Sequence, residues 1–281
     1  MKFGAHVSIA GGVAQAPGRA AALGCDCFQV FVANPRSWAM PVVSDAKAEA
    51  FQEARRKAGV GPVAVHVTYL PNLASPEKGL YQKSLKHLLA QYAAAARIGA
   101  ELFVIHPGSH RGSGLEAGVR RIAEGLRRVF DEVPEGPWLL LENTAGGGDT
   151  IGRTCEELAS IARAADAPER VGVCLDTCHA HAMGVDVGGK GVFKKFLNEH
   201  ARAVGAGAVK CIHANDALFL LGEGRDRHEH IGLGRIGEEG FRHILATPGV
   251  KKLPVIMETP VDERRGDRDN LAAIRALAPR K

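Results

Sequence analysis

Short apolar runs recur along the chain, and each ends in, or leads into, a polar or metal-type side chain. They fall near Lys2–Ile9, Cys27–Ala33, Val63–Tyr69, Leu102–Pro107, Trp138–Thr144, Val171–His179, Val209–Asn215 and Leu253–Pro260. Their near-continuous apolar character predicts strands buried on both faces. Between them lie segments rich in Ala, Leu, Lys, Arg and Glu, clearest over Glu77–Ile98, Leu115–Phe130, Thr154–Ala164 and Arg264–Leu277. In the first of these, Leu85, Leu88, Leu89 and Tyr92 stand at helical spacing. A βα pattern repeated eight times in 281 residues fits an α/β fold of TIM-barrel type better than an open sheet. No linker, low-complexity stretch or charge block divides it, so residues 1–281 read as a single barrel domain.

The polar residues gather at one end of these strands. His66 closes VAVH, His106 follows LFVI, Glu142 follows three leucines, and Glu258 follows Val255, Ile256 and Met257. Asp176 and His179 lie in VCLDTCH, and His213 ends VKCIH. A carboxylate at the end of an apolar strand costs on the order of several kcal/mol unless it is paired or changes its ionisation. No lysine or arginine lies in the runs that carry Glu142 and Glu258. His66 or His106 alone would read as a core histidine bonded to backbone. Taken together, the residues point to a shared polyvalent partner, most simply a metal cluster at the barrel mouth, where such barrels carry their active sites. Asp226 and His228, in a polar loop, are individually weak. His87, His200 and His243 lie on helical segments and read as surface residues. His110, His181 and His230 are undecided between site and scaffold.

Composition narrows the picture modestly. No apolar run is long enough to span a bilayer, and MKFGAHVSIAGG lacks the apolar stretch of a secretory signal, so the expected location is the cytoplasm. The six cysteines form no C-x-x-C pair and read mainly as reduced, buried small residues, with Cys178 beside His179 the least certain of them. The net charge of +5 permits an anionic partner. Divalent ions on the acidic strand ends would make the mouth more positive still, which favours a phosphate-bearing substrate. Two segments are longer than a barrel requires: Asn34–Val43, with Arg36 and Trp38, and Ala217–Gly237, with Arg225 to His230. Arg36, Trp38, Tyr69 and Arg227 are candidate nucleic-acid contacts, balanced against loop packing for Trp38 and a rim position for Tyr69. Gly232-Leu-Gly-Arg-Ile-Gly237 matches a dinucleotide fingerprint but follows a charged stretch rather than a strand, so it reads as a turn into a helix. Gly184–Gly191 resembles a phosphate loop but has glycine where the metal-binding hydroxyl belongs.

Several segments resemble the endonuclease IV family of apurinic/apyrimidinic endonucleases. They include Gly4-Ala-His-Val-Ser-Ile-Ala-Gly-Gly12, Ala33-Asn-Pro-Arg-Ser-Trp38, His106-Pro-Gly-Ser109 and Leu141-Glu-Asn-Thr144. Cys174-Leu-Asp-Thr-Cys-His179, Asp226-Arg-His-Glu-His-Ile-Gly232 and Met257-Glu-Thr-Pro260 continue the match, which runs in the family's order over nearly the whole chain. The resemblance implies a TIM barrel with three metal ions per chain, usually zinc, with manganese or iron as alternatives. One ion would be held by His66, His106 and Glu142. A second would share Glu142 and add Asp176, His213 and Glu258. The third would lie on His179, Asp226 and His228. Glu142 and Glu258 carry over as the catalytic carboxylates. Asn34, Arg36, Tyr69, Leu70 and Arg227 carry over as DNA-binding residues. The implied reaction is hydrolysis of the DNA phosphodiester 5′ to an abasic site, leaving a 3′-hydroxyl and a 5′-deoxyribose phosphate, with removal of blocked 3′ ends as a related activity. The implied partner is double-stranded DNA, with no membrane and a monomeric protein.

Two departures and two rivals accompany the resemblance. Ala217-Leu-Phe-Leu-Leu221 stands where the family has a more polar stretch, and His181 stands where an aromatic residue is expected. A divalent-metal sugar isomerase of the xylose-isomerase-like barrel type would need a catalytic lysine near the metals, and Lys210 lies mid-strand. A noncatalytic DNA- or zinc-binding protein would explain the ligands and loops without turnover.

Overall fold

The computed structural model describes residues 1–279. Its strands are β1 (Lys2–His6), β2 (Cys27–Val30), β3 (Val63–His66), β4 (Leu102–Ile105), β5 (Trp138–Glu142), β6 (Val171–Asp176), β7 (Val209–His213), β8 (Asp216–Ala217), β9 (His228–Glu229) and β10 (Pro254–Met257). Eight of them close into a parallel barrel in the order β1-β10-β7-β6-β5-β4-β3-β2, and β8 and β9 form a separate hairpin. The helices are α1 (Ala16–Leu23), α2 (Asp45–Ala58), α3 (Lys78–Arg97), α4 (Leu115–Glu132), α5 (Cys155–Ala165), α6 (Thr177–Ala182), α7 (Val192–Val204), α8 (Gly237–Leu245) and α9 (Asp267–Leu277). The TIM-barrel expectation holds, and its strand and helix segments match these elements to within a few residues.

Two apolar layers hold the barrel. Side chains on one face of each strand pack against the helices, among them Phe28, Val65, Phe103, Leu139, Leu141, Val173 and Val255. The opposite face fills the barrel interior with Cys27, Ala64, Leu102, Val104, Leu140, Cys174, Cys211 and Ile256. Side chains alternate along a strand, so the residue two positions on from an interior residue also faces inward. From Cys27 that step reaches Gln29, from Ala64 it reaches His66, and from Leu140 it reaches Glu142. From Cys174, Cys211 and Ile256 it reaches Asp176, His213 and Glu258. The apolar barrel interior is thus roofed by Gln29 and metal-type donors at the C-terminal mouth, the end where barrels of this type place their chemistry.

Two sequence expectations need correction here. Val171–His179 is not one strand: β6 stops at Asp176, whose carboxylate Oδ1 accepts from the His179 amide at 2.8 Å and caps α6. His179 therefore sits on the first turn of a helix. His87 and His200 are not surface residues; both are buried. His87 Nε2 donates to the Ala39 carbonyl at 3.2 Å and its ring meets Trp38 edge-on at 5.3 Å, tying the loop after β2 to α3. His200 Nδ1 donates to the Phe196 carbonyl at 2.9 Å. The helical pattern gave each a polar position, but His87 is covered by the loop after β2, from a distant part of the chain, and α7, which carries His200, packs against α5.

The glycine-rich stretch does form an anion cradle, but for an internal anion. The amides of Gly232, Gly234 and Ile236 donate to the Asp216 carboxylate at 2.9–3.0 Å, and Gly237 joins them at 3.3 Å. A side chain at Gly234 could not fit, because its Cβ would lie 2.5 Å from Asp216 Oδ1 and 2.6 Å from the Ala217 carbonyl. The turn then enters α8, as its charged lead-in predicted.

Candidate metal centre

Glu142 is the hub of the mouth. It is fully buried at the end of β5. Its Oε2 lies 3.0 Å from both His66 Nε2 and His106 Nε2, and its Oε1 lies 2.8 Å from His213 Nδ1 and 3.6 Å from His179 Nδ1. Glu258 Oε2 is 3.4 Å from His213 Nδ1. On the other side, His179 Nε2 and His228 Nε2 lie 3.1 and 3.3 Å from the two oxygens of Asp226, and His228 Nε2 is 3.9 Å from Asp176. The donors fall into overlapping groups that could each hold an ion: His66, Glu142 and His213; His106, Glu142 and His179; and His179, Asp226 and His228. Cys178 also lies within reach of Asp176 and His228.

The surroundings aim these donors inward. His66 Nδ1 donates to the Val67 carbonyl at 2.7 Å, His179 Nδ1 to the Asn143 carbonyl at 2.8 Å, and His228 Nδ1 to the Glu258 carbonyl at 3.0 Å. A backbone bond on one ring nitrogen fixes the ring and turns the other nitrogen toward a ligand, which is how metal-binding histidines are commonly held. Asn143 Oδ1 accepts from the Asp176 amide at 2.7 Å. Asn215 Nδ2 donates to Asp176 Oδ2 at 2.6 Å, while its Oδ1 accepts from the Glu258 amide at 2.7 Å.

Charge is concentrated without fixed counter-cations. Among the described residues, the ion-pair partners of Glu142, Asp176 and Glu258 are all histidines. Burial works against their charges, yet the facing imidazoles hold Glu142 and Glu258 well below the usual carboxylate range. Burial likewise opposes the imidazolium of His228, but Asp226, Asp176 and Glu258 hold its pKa up to about 9. His228 Nε2 is buried without a hydrogen-bond partner. Buried carboxylates facing aimed nitrogens, with one nitrogen orphaned, fit a set of divalent ions with nitrogen and oxygen donors.

A cavity of roughly 520 Å³ opens over the donors, walled by His6, Phe31, Tyr69, Arg227 and Thr259. It shares Tyr69, His106, His179 and Asp226 with a second cavity of roughly 560 Å³ that reaches Leu70, Asn72 and Arg111. Tyr69 is exposed at 70% of its surface beside this mouth. Arg36 and Arg227 are exposed, and Asn34 Oδ1 accepts from the Arg36 amide at 3.0 Å. Trp38 packs against His87 and Lys83, which favours its scaffold reading. His181 turns from the cluster, with Nε2 donating to the Phe219 carbonyl at 3.3 Å. His230 is buried against Asp262 at 2.9 Å, and His110 faces Asp149 at 3.9 Å. Lys210 lies over the Trp138 ring at 3.9 Å, beside the start of β5 and away from Glu142. Leu218, Leu220 and Leu221 are exposed. His6 and Gln29 were not expected among the site residues; the one signal for Gln29 was a lone amide inside the apolar run CFQV.

A closed barrel with histidine and carboxylate donors at its mouth defines a metalloenzyme-type barrel, and residues 17–278 match the family model described as xylose isomerase-like TIM barrel. Within that class the relatives are specific. The chain is 47% identical to a probable endonuclease 4 of Methanoculleus marisnigri, over 98% of each sequence. It is 44% identical to a probable endonuclease 4 of Halothermothrix orenii, over 92% of this chain and 94% of that one. The crystal structure of endonuclease IV from Thermus thermophilus superposes with a TM-score of 0.87 at 39% identity, covering 99% of this chain and 98% of that chain. The chain belongs to the endonuclease IV family. A D-tagatose 3-epimerase-like protein, at 20% identity and a TM-score of 0.71, shares the fold.

Proposed function

We propose that the protein is a metal-dependent apurinic/apyrimidinic endonuclease that hydrolyses the DNA phosphodiester 5′ to an abasic site. The reading extends to the release of a 3′-hydroxyl and a 5′-deoxyribose phosphate, and to the clearing of blocked 3′ ends. The observation that carries it is the set of donor groups joined through Glu142 and His179 beneath an open cavity. Family membership supplies the substrate class.

In this reading His66, His106 and Glu142 hold one ion. Glu142, Asp176, His213 and Glu258 hold a second, and His179, Asp226 and His228 hold a third. Zinc suits these nitrogen and oxygen donors, and manganese or iron would suit part of the set. When bound, such ions supply a nucleophile from water at neutral pH and neutralise charge on the phosphate. Glu142 and Glu258 are the carboxylates nearest the chemistry. Arg36 and Arg227 are suited to phosphate contacts that position DNA without reading sequence. Tyr69 and Leu70, at the cavity edge, offer surfaces for a gap in the base stack. Opening a duplex is cheapest where a base is already missing, which gives selectivity for the lesion.

Incubation with a duplex carrying one abasic site tests the proposal. Expected are a single nick 5′ to the lesion, a 3′-hydroxyl that a polymerase extends, and no cut in the matched intact duplex. A product with an unextendable 3′ end, or no lesion-dependent nick, would contradict it. Turnover of a ketose instead would favour the isomerase rival.

A further inference from the structure

Gln29 is fully buried on β2, and among the described residues its side-chain amide is the one uncharged group that joins three titratable residues of the mouth. Its Nε2 lies 2.6 Å from Glu258 Oε1 and 3.0 Å from His6 Nδ1, and its Oε1 lies 2.9 Å from His213 Nε2. The orientation of the amide follows from chemistry. An ionised carboxylate oxygen only accepts, so the group facing Glu258 must be the NH2. The carbonyl oxygen then faces His213, and because it too only accepts, His213 Nε2 must carry a hydrogen. His213 Nδ1, 2.8 Å from Glu142 Oε1 and 3.4 Å from Glu258 Oε2, is left as the ring's metal-facing nitrogen.

We propose that Gln29 is a positioning residue that fixes His213 as the Nε2–H tautomer, and so selects Nδ1 as its ligand atom, while holding the Glu258 carboxylate beside it. His213 differs in this from His66, His179 and His228, each of which is fixed by a backbone carbonyl accepting from Nδ1 and so presents Nε2. Among the described residues no backbone carbonyl plays that part for His213; a side chain from β2 does. The second N–H of the same amide gives His6 Nδ1 its donor, so His6 when neutral keeps its hydrogen on Nε2, the nitrogen the amide does not engage. Partners of this kind typically contribute about 10- to 100-fold to metal affinity.

The inference rests on the ligand reading above, and the test separates the two. Wild type, Gln29→Met and Gln29→Glu are loaded with Zn²⁺. Metal affinity is measured by chelator competition, and the His213 ring nitrogens by long-range ¹H–¹⁵N NMR. Wild type should show a protonated Nε2 and a coordinated Nδ1. Gln29→Met keeps the length but has no donor and offers only a weak sulfur acceptor. It should lose the protected Nε2–H signal and bind the weakest-held ion about 10- to 100-fold less tightly. Gln29→Glu keeps an acceptor for His213 but sets a second carboxylate against Glu258, so it should retain the Nε2–H signal while still losing affinity. A Gln29→Met protein with wild-type His213 signals and wild-type affinity overturns the proposal. If Gln29→Met does not fold, Gln29→Glu decides: unchanged affinity, or loss of the Nε2–H signal, overturns it. A wild-type protein that takes up no metal refutes the ligand reading itself, and this proposal falls with it.

Discussion

At the residue scale, Glu142 concentrates most of the site's chemistry. Three histidines lie within 3.0 Å of its two oxygens, and it is fully buried. Glu142→Gln keeps the shape but replaces one anionic oxygen with an NH2 that cannot bind metal. Single-turnover incision should fall by at least about 10²-fold, the scale on which loss of a charge-stabilising group is felt. Folding and affinity for the same abasic duplex should largely survive, because the proposed phosphate contacts come from several other residues. Near-normal incision by the folded variant would remove Glu142 from the reacting centre. The cysteines make a second residue-level case. All but Cys155 are buried, and burial together with the Glu156 carboxylate pushes the Cys155 thiol up to about 11. A raised thiol pKa leaves little thiolate near neutrality, and reactivity should climb only as pH rises toward that value. At pH 8 the native protein should label slowly, and at no more than one thiol, until it is unfolded. Rapid labelling of several thiols before unfolding would contradict this.

At the element scale, the proposed DNA contacts fall on the loops that leave the strand ends. Arg36→Ala and Tyr69→Ala should weaken binding of abasic DNA and leave metal content unchanged, since neither residue belongs to the donor groups. Binding and incision like wild type in both variants would show that the lesion is read elsewhere. The Asp216 cradle predicts a different outcome. Asp216→Ala strips the acceptor from the amides of Gly232, Gly234, Ile236 and Gly237 and should cost about 3 kcal/mol in denaturant unfolding. An unchanged midpoint would contradict the structural role given to that carboxylate. These elements also show where sequence reading reaches its limit. The donors on β3, β5, β6, β7 and β10 were legible because each follows an apolar run at whose end a charge has no cheap explanation. His179 was legible as a donor but not as a helical residue, since the break after Asp176 depends on a cap and not on hydrophobic period. The burial of His87 could not be read, because the carbonyl that satisfies it is 48 residues away on the loop after β2. The Asp216 cradle could not be read, because the amides it accepts from lie 16 to 21 residues further on and meet it only once the hairpin of β8 and β9 closes.

At the scale of the whole molecule, the barrel brings donors from strands far apart in sequence into one layer above a small apolar interior. In the unloaded protein their mutual repulsion and burial are relieved by facing imidazoles and by neutral donors such as the side-chain amides of Gln29 and Asn215. Metal binding should therefore stabilise the fold as well as complete the site. Purified protein prepared under metal-free handling and reloaded should hold about three ions per chain by elemental analysis. Brief chelation is a poor test, because deeply held ions exchange slowly. The most direct measurement follows single-turnover incision of an abasic duplex as ions are returned stepwise to the fully stripped protein. Incision should be absent at the start, rise with occupancy, and reach its plateau at about three equivalents. Full incision by protein shown to contain no divalent metal would contradict the cluster and the chemistry assigned to it.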